Sequence, residues 1–261
     1  MAVVMASSAP LPLDGQAAVV TGGSSGIGRA IALALAAAGA DVAITYHVNE
    51  AGAREVERGI VAQGRRAVAL RMDLAVPADI ERAGREAADA LGSLRVWVNN
   101  AGADILTGPA GAGSDLEKLD RLLAVDLRGT VLASWVAVEC LGRSSEGGTI
   151  INMSWDRVLS GMAGTHPQMF AAVKGGVLAF SKALARSVAP RIRVNVLAPG
   201  WIATAFADGL EAGRYDAVAA SVPLGRWGTG EDVASAAVYL ASPAAAFVTG
   251  QALLVGGGDV M

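Results

Sequence analysis

The sequence is poor in cysteine, histidine and charge, and each shortage excludes a class of function. Cys140 stands alone, so there is no disulfide framework and no cysteine-based metal cluster. His47 and His166 are the only histidines, too few for a histidine-rich metal site. Charged residues make up 17% of the 261-residue chain, and the formal net charge is −3. With a pI of about 5.4 and no basic patch, nucleic acid is not an expected partner. Hydrophobic residues reach 53% and mean hydropathy is +0.45, yet no apolar run approaches the ~18 residues of a membrane span. The longest, Ala30 to Ala38, stops at Gly39. Such a chain is also too apolar and too weakly charged to be disordered. Met1 to Pro10 lack the basic start and long apolar core of a secretion signal and read as a loose arm, which makes the expected compartment cytoplasmic.

What is present is an alternation of short β-rich runs with Ala/Leu-rich helical stretches. Strands are expected over Ala17–Val20, Asp41–Tyr46, Arg66–Arg71, Arg95–Asn99, Thr149–Met153, Ile192–Ala198 and Ala252–Val255. Helices are expected over Gly28–Ala38, Glu50–Gln63, Pro77–Leu91, Leu116–Leu141, Met169–Ala189 and Glu231–Ala241. That pace implies βαβ units, a parallel sheet and right-handed crossovers with helices on both faces. No linker or repeat interrupts it, so residues 13–261 are expected to form one α/β domain after an arm at 1–12. Gly102–Ser114 and Trp201–Arg226 are the main irregular stretches. Ligands in such folds bind beyond the carboxyl ends of the strands, where both stretches are expected.

The first strand runs into Thr21-Gly22-Gly23-Ser24-Ser25-Gly26-Ile27-Gly28 and then a helix. Missing side chains let backbone approach a pyrophosphate, and a helix N-terminus offers free N–H groups and a positive dipole end. At a first βα junction this pattern points to a dinucleotide, and the expected architecture is a Rossmann-type doubly wound sheet.

With Thr21–Gly28, Asn99-Asn100-Ala101-Gly102, Lys174 and Asn195-Val196-Leu197-Ala198-Pro199-Gly200, the chain resembles the short-chain dehydrogenase/reductase family from about Leu13 onward. Pro223-Leu224-Gly225-Arg226, Gly250-Gln251 and Gly256-Gly257-Gly258 extend the likeness. The resemblance implies an oxidoreductase binding NAD or NADP. It implies that Asp73, with Leu74, faces the adenine and that Asn99–Gly102 line the cofactor cleft. Pro199, Gly200, Ile202 and Thr204 would lie on the nicotinamide side. It also implies a homotetramer built on the long helix, which carries Trp135 and Cys140, and on the active-site helix. At the end of the second strand Tyr46 and His47 stand where a carboxylate would hold the ribose 2′-OH of NAD, so NADP is favoured, with Ser25 and Arg29 near enough to help hold its 2′-phosphate.

The family's chemistry uses a tyrosine as proton donor, a lysine four residues later on the same helix face, a serine that orients the carbonyl and an asparagine in a proton relay. Here Lys174 is present, but position 170 is Phe170, which has no proton to give. Thirteen residues before it, the family's usual serine position, stands Arg157; Ser154 fits the motif better and implies a longer substrate loop. The relay position holds Asp126. Three explanations stand open. Phe170 is an edit made to trap substrate, against which Asp126 and the altered loop argue. Or hydride transfer continues with another donor, or with an iminium that needs none. Or the fold keeps its cofactor and serves as a cyclase, dehydratase, isomerase or binding subunit. Substitute acids are His166, expected in a loop over Gly161–Met169, Asp156 and Asp126, each with a structural reading beside the chemical one, and more weakly Tyr215. Trp155, Trp201, Phe206, Met162, Met169 and Leu106 are candidates to line an apolar substrate pocket.

Overall fold

The computed structural model describes residues 11–107, 111–208, 210 and 213–261. Seven strands, β1 (Ala17–Val20), β2 (Asp41–Tyr46), β3 (Ala67–Arg71), β4 (Leu94–Asn99), β5 (Gly148–Met153), β6 (Ile192–Pro199) and β7 (Ala252–Val255), form one sheet in the order β3-β2-β1-β4-β5-β6-β7. Every pairing is parallel. Parallel strands covered on both sides need apolar side chains on both, which explains runs such as Ala17-Ala18-Val19-Val20. Successive residues still serve opposite layers. Val20, Ile44, Val98 and Ile151 pack on one side with α1 (Gly26–Ala37), α2 (Glu50–Ala62) and α9 (Gly230–Ala241). Val19, Ala43, Trp97 and Ile150 pack on the other with α3 (Pro77–Leu91), α5 (Thr130–Gly142) and α6 (Thr165–Val188). This is the expected Rossmann-type α/β arrangement. No helix among the described residues is long and apolar enough to cross a membrane.

The chain winds outward from β1 through β2 to β3 and then returns to place β4 on the other side of β1. The crevice beyond the carboxyl ends of β1 and β4 is therefore the topological switch point.

Two helices differ from expectation in ways that matter for the site. The stretch expected as one helix over Leu116–Leu141 is α4 (Asp115–Leu122), a π-helical turn (Leu123–Gly129) and α5. Ser114 and Glu117 form a capping box that starts α4. The π turn admits one extra residue, and Asp126 within it is 1% exposed. The active-site helix α6 begins at Thr165 rather than Met169, so His166 lies in its first turn and not in a loop. Trp201–Arg226 is not wholly irregular, since it holds α7 (Ala205–Asp208) and α8 (Arg214–Ser221).

Candidate functional site

A cavity of about 600 Å³ occupies the switch point, lined by Gly22, Ser24, Ser25, Ile27 and Gly28 on one side and Asn100, Ala101 and Gly102 on the other. Its walls demand glycine. Gly22 has φ of 65°, and a Cβ there would lie 2.9 Å from Ala101 Cα; a Cβ on Gly28 would lie 2.2 Å from the Gly22 carbonyl oxygen and 2.4 Å from Asn100 Nδ2. Thr21 does not line the cavity but fixes its far wall, since its Oγ1 accepts from the backbone N–H groups of Asn100 and Ala101, both at 3.0 Å. The Ser25 side chain makes no capping bond, and the first turn of α1 holds no acid. The open N–H groups of a 12-residue helix thus meet a cavity walled by bare backbone, which fits a pyrophosphate.

The far end of this cavity is lined by Tyr46, His47, Asn49, Asp73 and Leu74. No carboxylate stands at the end of β2. Asp73 lies beyond it, with Oδ2 3.4 Å from His47 Nε2 and Oδ1 accepting from the Ala75 N–H. Arg29 is not among the lining residues; its guanidinium pairs with Glu55 at 2.7 Å on the exposed face between α1 and α2. Residue 29 projects from the outer side of the helix start, so the expected help from Arg29 is withdrawn, while Ser25 keeps its place.

A second cavity, of about 480 Å³, adjoins the first, and Ile27, Asn100 and Thr204 line both. Its walls include Trp155, Phe170, Trp201 and Trp227, with Met153, Met162, Leu106 and Ile202. Trp155 and Phe170 meet edge to face with centroids 6.2 Å apart, and Trp227 packs edge-on against Trp201 and stacks on Tyr215. Lys174 lines this cavity one helical turn beyond Phe170. Its Nζ sits 2.9 Å from Asp126 Oδ2 and 3.5 Å from the Met153 carbonyl oxygen. Asp126 Oδ1 accepts from the Ala103 N–H at 2.7 Å. The π turn thus delivers a buried carboxylate that spans the loop after β4 and the lysine of α6.

Ser154 lines the cavity too, but its hydroxyl donates to the Lys174 carbonyl oxygen at 2.8 Å. With its proton committed to α6, this serine has lone pairs to offer a ligand rather than a hydrogen. Asp156 is fully buried, does not line the cavity and, among the described residues, accepts no well-formed hydrogen bond at either side-chain oxygen. Its carboxyl lies under the ends of β6 and β7; Cβ atoms on Gly200 and Gly256 would come within 2.4 and 2.5 Å of Oδ2. Burial, opposed by Arg157, pushes its pKa up to about 6. His166 lines the cavity, with Nε2 3.3 Å from Lys118 Nζ.

The family model described as enoyl-(acyl carrier protein) reductase matches residues 22–259. A 3-oxoacyl-[acyl-carrier-protein] reductase of Synechocystis sp. is 36% identical over 95% of this chain and 98% of its own. Of solved structures, a blue fluorescent protein from a metagenomic library in complex with NADPH is 36% identical with a TM-score of 0.85, covering 96% of this chain and 100% of its own. A short-chain dehydrogenase from Burkholderia cenocepacia in complex with NADP matches at 36% identity and TM-score 0.85, over 95% of this chain and 99% of its own. The chain belongs to the short-chain dehydrogenase/reductase family.

Of the positions that the family resemblance assigns to the cofactor, Gly22, Ser24, Ser25, Ile27, Gly28, Tyr46, His47, Asp73, Leu74, Asn100, Ala101, Gly102 and Thr204 line the first cavity. Lys174, Pro199, Gly200 and Ile202 line the second, and Thr204 joins the two. Gly26 turns the loop with φ of 53° without reaching the cavity lining. Asn99 does not line the cleft, because strand alternation sends its side chain to the opposite layer. There Trp97 Nε1 donates to Asn99 Oδ1 at 2.8 Å, Asn99 Nδ2 donates to Asn152 Oδ1 at 2.8 Å and Asn152 Nδ2 donates to Ser181 Oγ at 2.9 Å, which ties β4, β5 and α6 beneath the site. Met169 is buried with Ile105, Leu122 and Val173 instead of lining the second cavity, and the side chain of Phe206 lies outside those described. Trp227 and Arg214 line it unforeseen. Trp227 directly follows the family-like Pro223–Arg226 run, whereas Arg214 carries no local signal.

Proposed function

We propose that the protein is an NADP(H)-dependent oxidoreductase that moves hydride to or from a small carbonyl, alcohol or imine carbon without a tyrosine acid. The observation that carries this reading is the pair of cavities that meet at Ile27, Asn100 and Thr204. One suits a dinucleotide, and the other is apolar with Lys174 at its wall. When bound, the nicotinamide ring supplies or accepts the hydride. NADP rather than NAD is supported by Tyr46 and His47 at the end of β2, by Ser24 and Ser25 beside them, and by the two relatives whose structures contain NADPH and NADP.

Each of this chain's residues then has a task. Gly22, Gly28 and the start of α1 receive the pyrophosphate. Lys174 hydrogen-bonds the nicotinamide ribose, and Asp126 holds the lysine there. Ser154 fixes the α6 backbone at Lys174. Phe170 supplies an aromatic wall where the family's acid would stand. Neither Asp126 nor Asp156 is placed to take over, and His166, which lines the cavity, stands one helical turn before Phe170. Asp126 is committed to Lys174 and the Ala103 N–H, Asp156 is walled off behind glycine backbone, and His166 Nε2 already meets Lys118. Tyr215 stacks on Trp227 and does not line the cavity. That arrangement favours the imine among the three substrates. A substrate nitrogen that binds already protonated accepts hydride with no further acid. A homotetramer built on α5 and α6 fits the reading, with Trp135 54% exposed on α5.

Absorbance loss of NADPH against a panel of ketones and cyclic imines tests the proposal. Turnover of imines but not ketones is expected, with Phe170→Tyr gaining ketone reduction by at least tenfold. Tight NADPH binding with no turnover of any panel member would refute it in favour of the non-redox reading.

A further inference from the structure

The substrate cavity is lopsided in charge. Among the described residues its lining includes Lys174, Arg214 and His166 and not one aspartate or glutamate. Lys174 is matched by Asp126, but Arg214 forms no ion pair among the described residues. Behind His166 lies a further cation. Lys118 on α4 is only 8% exposed, and among the described residues its ammonium has a single hydrogen-bond partner, His166 Nε2 at 3.3 Å. No carboxylate comes within 4.0 Å of it there. The nearest carboxylate to the cluster is that of Asp115, 3.9 Å from His166 Nε2 and 63% exposed at the start of α4. A lysine this buried ordinarily keeps a counter-charge, because removing an ammonium from water is costly. An imidazole that accepts from an ammonium at Nε2 carries its own proton on Nδ1, so its remaining nitrogen is a donor.

We infer that the cavity takes an apolar, ring-bearing substrate that carries a carboxylate, with the anion bound by His166 backed by Lys118 and its approach favoured by Arg214. The ring packs among Trp155, Phe170, Trp201 and Trp227, and the carboxylate supplies the counter-charge that the protein withholds from Lys118. This rests on the proposed reaction for the place of the reacting carbon, but the anion site itself stands on the charge arrangement.

The test is a calorimetric comparison of three keto acids, 4-acetylbenzoate, 3-acetylbenzoate and 4-oxocyclohexanecarboxylate, with their methyl esters. Each pair is titrated into the full chain, both free and saturated with NADP. At least one acid is expected to bind tenfold or more tighter than its ester at low salt. The preference falls below threefold in Lys118→Met and in His166→Gln and survives in Lys118→Arg. The Lys118→Met variant removes an uncompensated buried charge and keeps the apolar stem, and its fold is checked by circular dichroism. Esters that bind as well as their acids, no acid that binds, or a preference unchanged in Lys118→Met and His166→Gln would each overturn the inference. Failure of NADP to bind appears in its own titration and strikes the proposed reaction, leaving the acid-to-ester ratio of the free protein to judge the anion site.

Discussion

Replacing Asp156 by asparagine isolates a buried charge whose effect on stability has a definite sign. The carboxyl is fully buried and accepts no well-formed hydrogen bond among the described residues, and burial raises its pKa from 3.8 to about 6. In the unfolded chain it ionises at the ordinary value. Between about pH 4 and 6 the native state therefore holds a proton that the unfolded state has lost, and stability must fall as pH rises through that window. A difference of about two units at ~1.4 kcal/mol each gives a loss of about 3 kcal/mol, complete above pH 6. Carboxylates such as Asp232, drawn down to about 2 by its hydrogen bond from Arg226, act oppositely and below this window, since their contribution is lost only as pH falls under about 4. They are also present in both proteins and cancel in the difference. Urea unfolding of wild type and Asp156→Asn at half-unit steps from pH 4.5 to 8 provides the comparison. Because about a third of the loss lies below pH 4.5, the gap between the curves should widen in favour of the variant by about 2 kcal/mol over this range and then level off. A constant offset is of no consequence, because the comparison reads how the gap changes with pH. Parallel curves across the window would refute the account of Asp156 as an unpaired buried acid.

Two further changes probe the cofactor cradle and the lysine. Gly28→Ala places a Cβ 2.2 Å from the Gly22 carbonyl oxygen; NADPH affinity measured by fluorescence titration should fall at least 100-fold while far-ultraviolet dichroism is retained. Asp126→Asn keeps an acceptor for the Ala103 N–H but strands the Lys174 ammonium, which should cost about 3 kcal/mol in urea unfolding. The Asp126→Asn/Lys174→Met double variant should lose less than the sum of the two single losses.

Much of this molecule was legible in its sequence. The strands β1, β2 and β7 fall at the expected residues, because a parallel sheet covered on both sides imposes continuous apolar runs that local composition reveals. The Thr21–Gly28 turn was equally legible, since backbone that must approach a phosphate or another strand excludes side chains, and glycine records that exclusion directly. The chain also disclosed that Phe170 precedes Lys174 by one helical turn, which is a matter of spacing alone.

Other features depend on contacts between segments far apart in the chain, which no local pattern encodes. Helical periodicity across Leu116–Leu141 does not reveal the π turn from which Asp126 meets Ala103 and Lys174. Whether Ser154 faces substrate or the helix, whether Arg29 reaches the cofactor or pairs with Glu55, and whether Asp156 is solvated or sealed beneath Gly200 and Gly256 are all set by neighbours on other elements. Residue type tells which protons and charges a chain possesses. Burial and partners assigned by tertiary packing decide which of them are available, and here packing commits Asp126 to Lys174 and seals Asp156 from solvent.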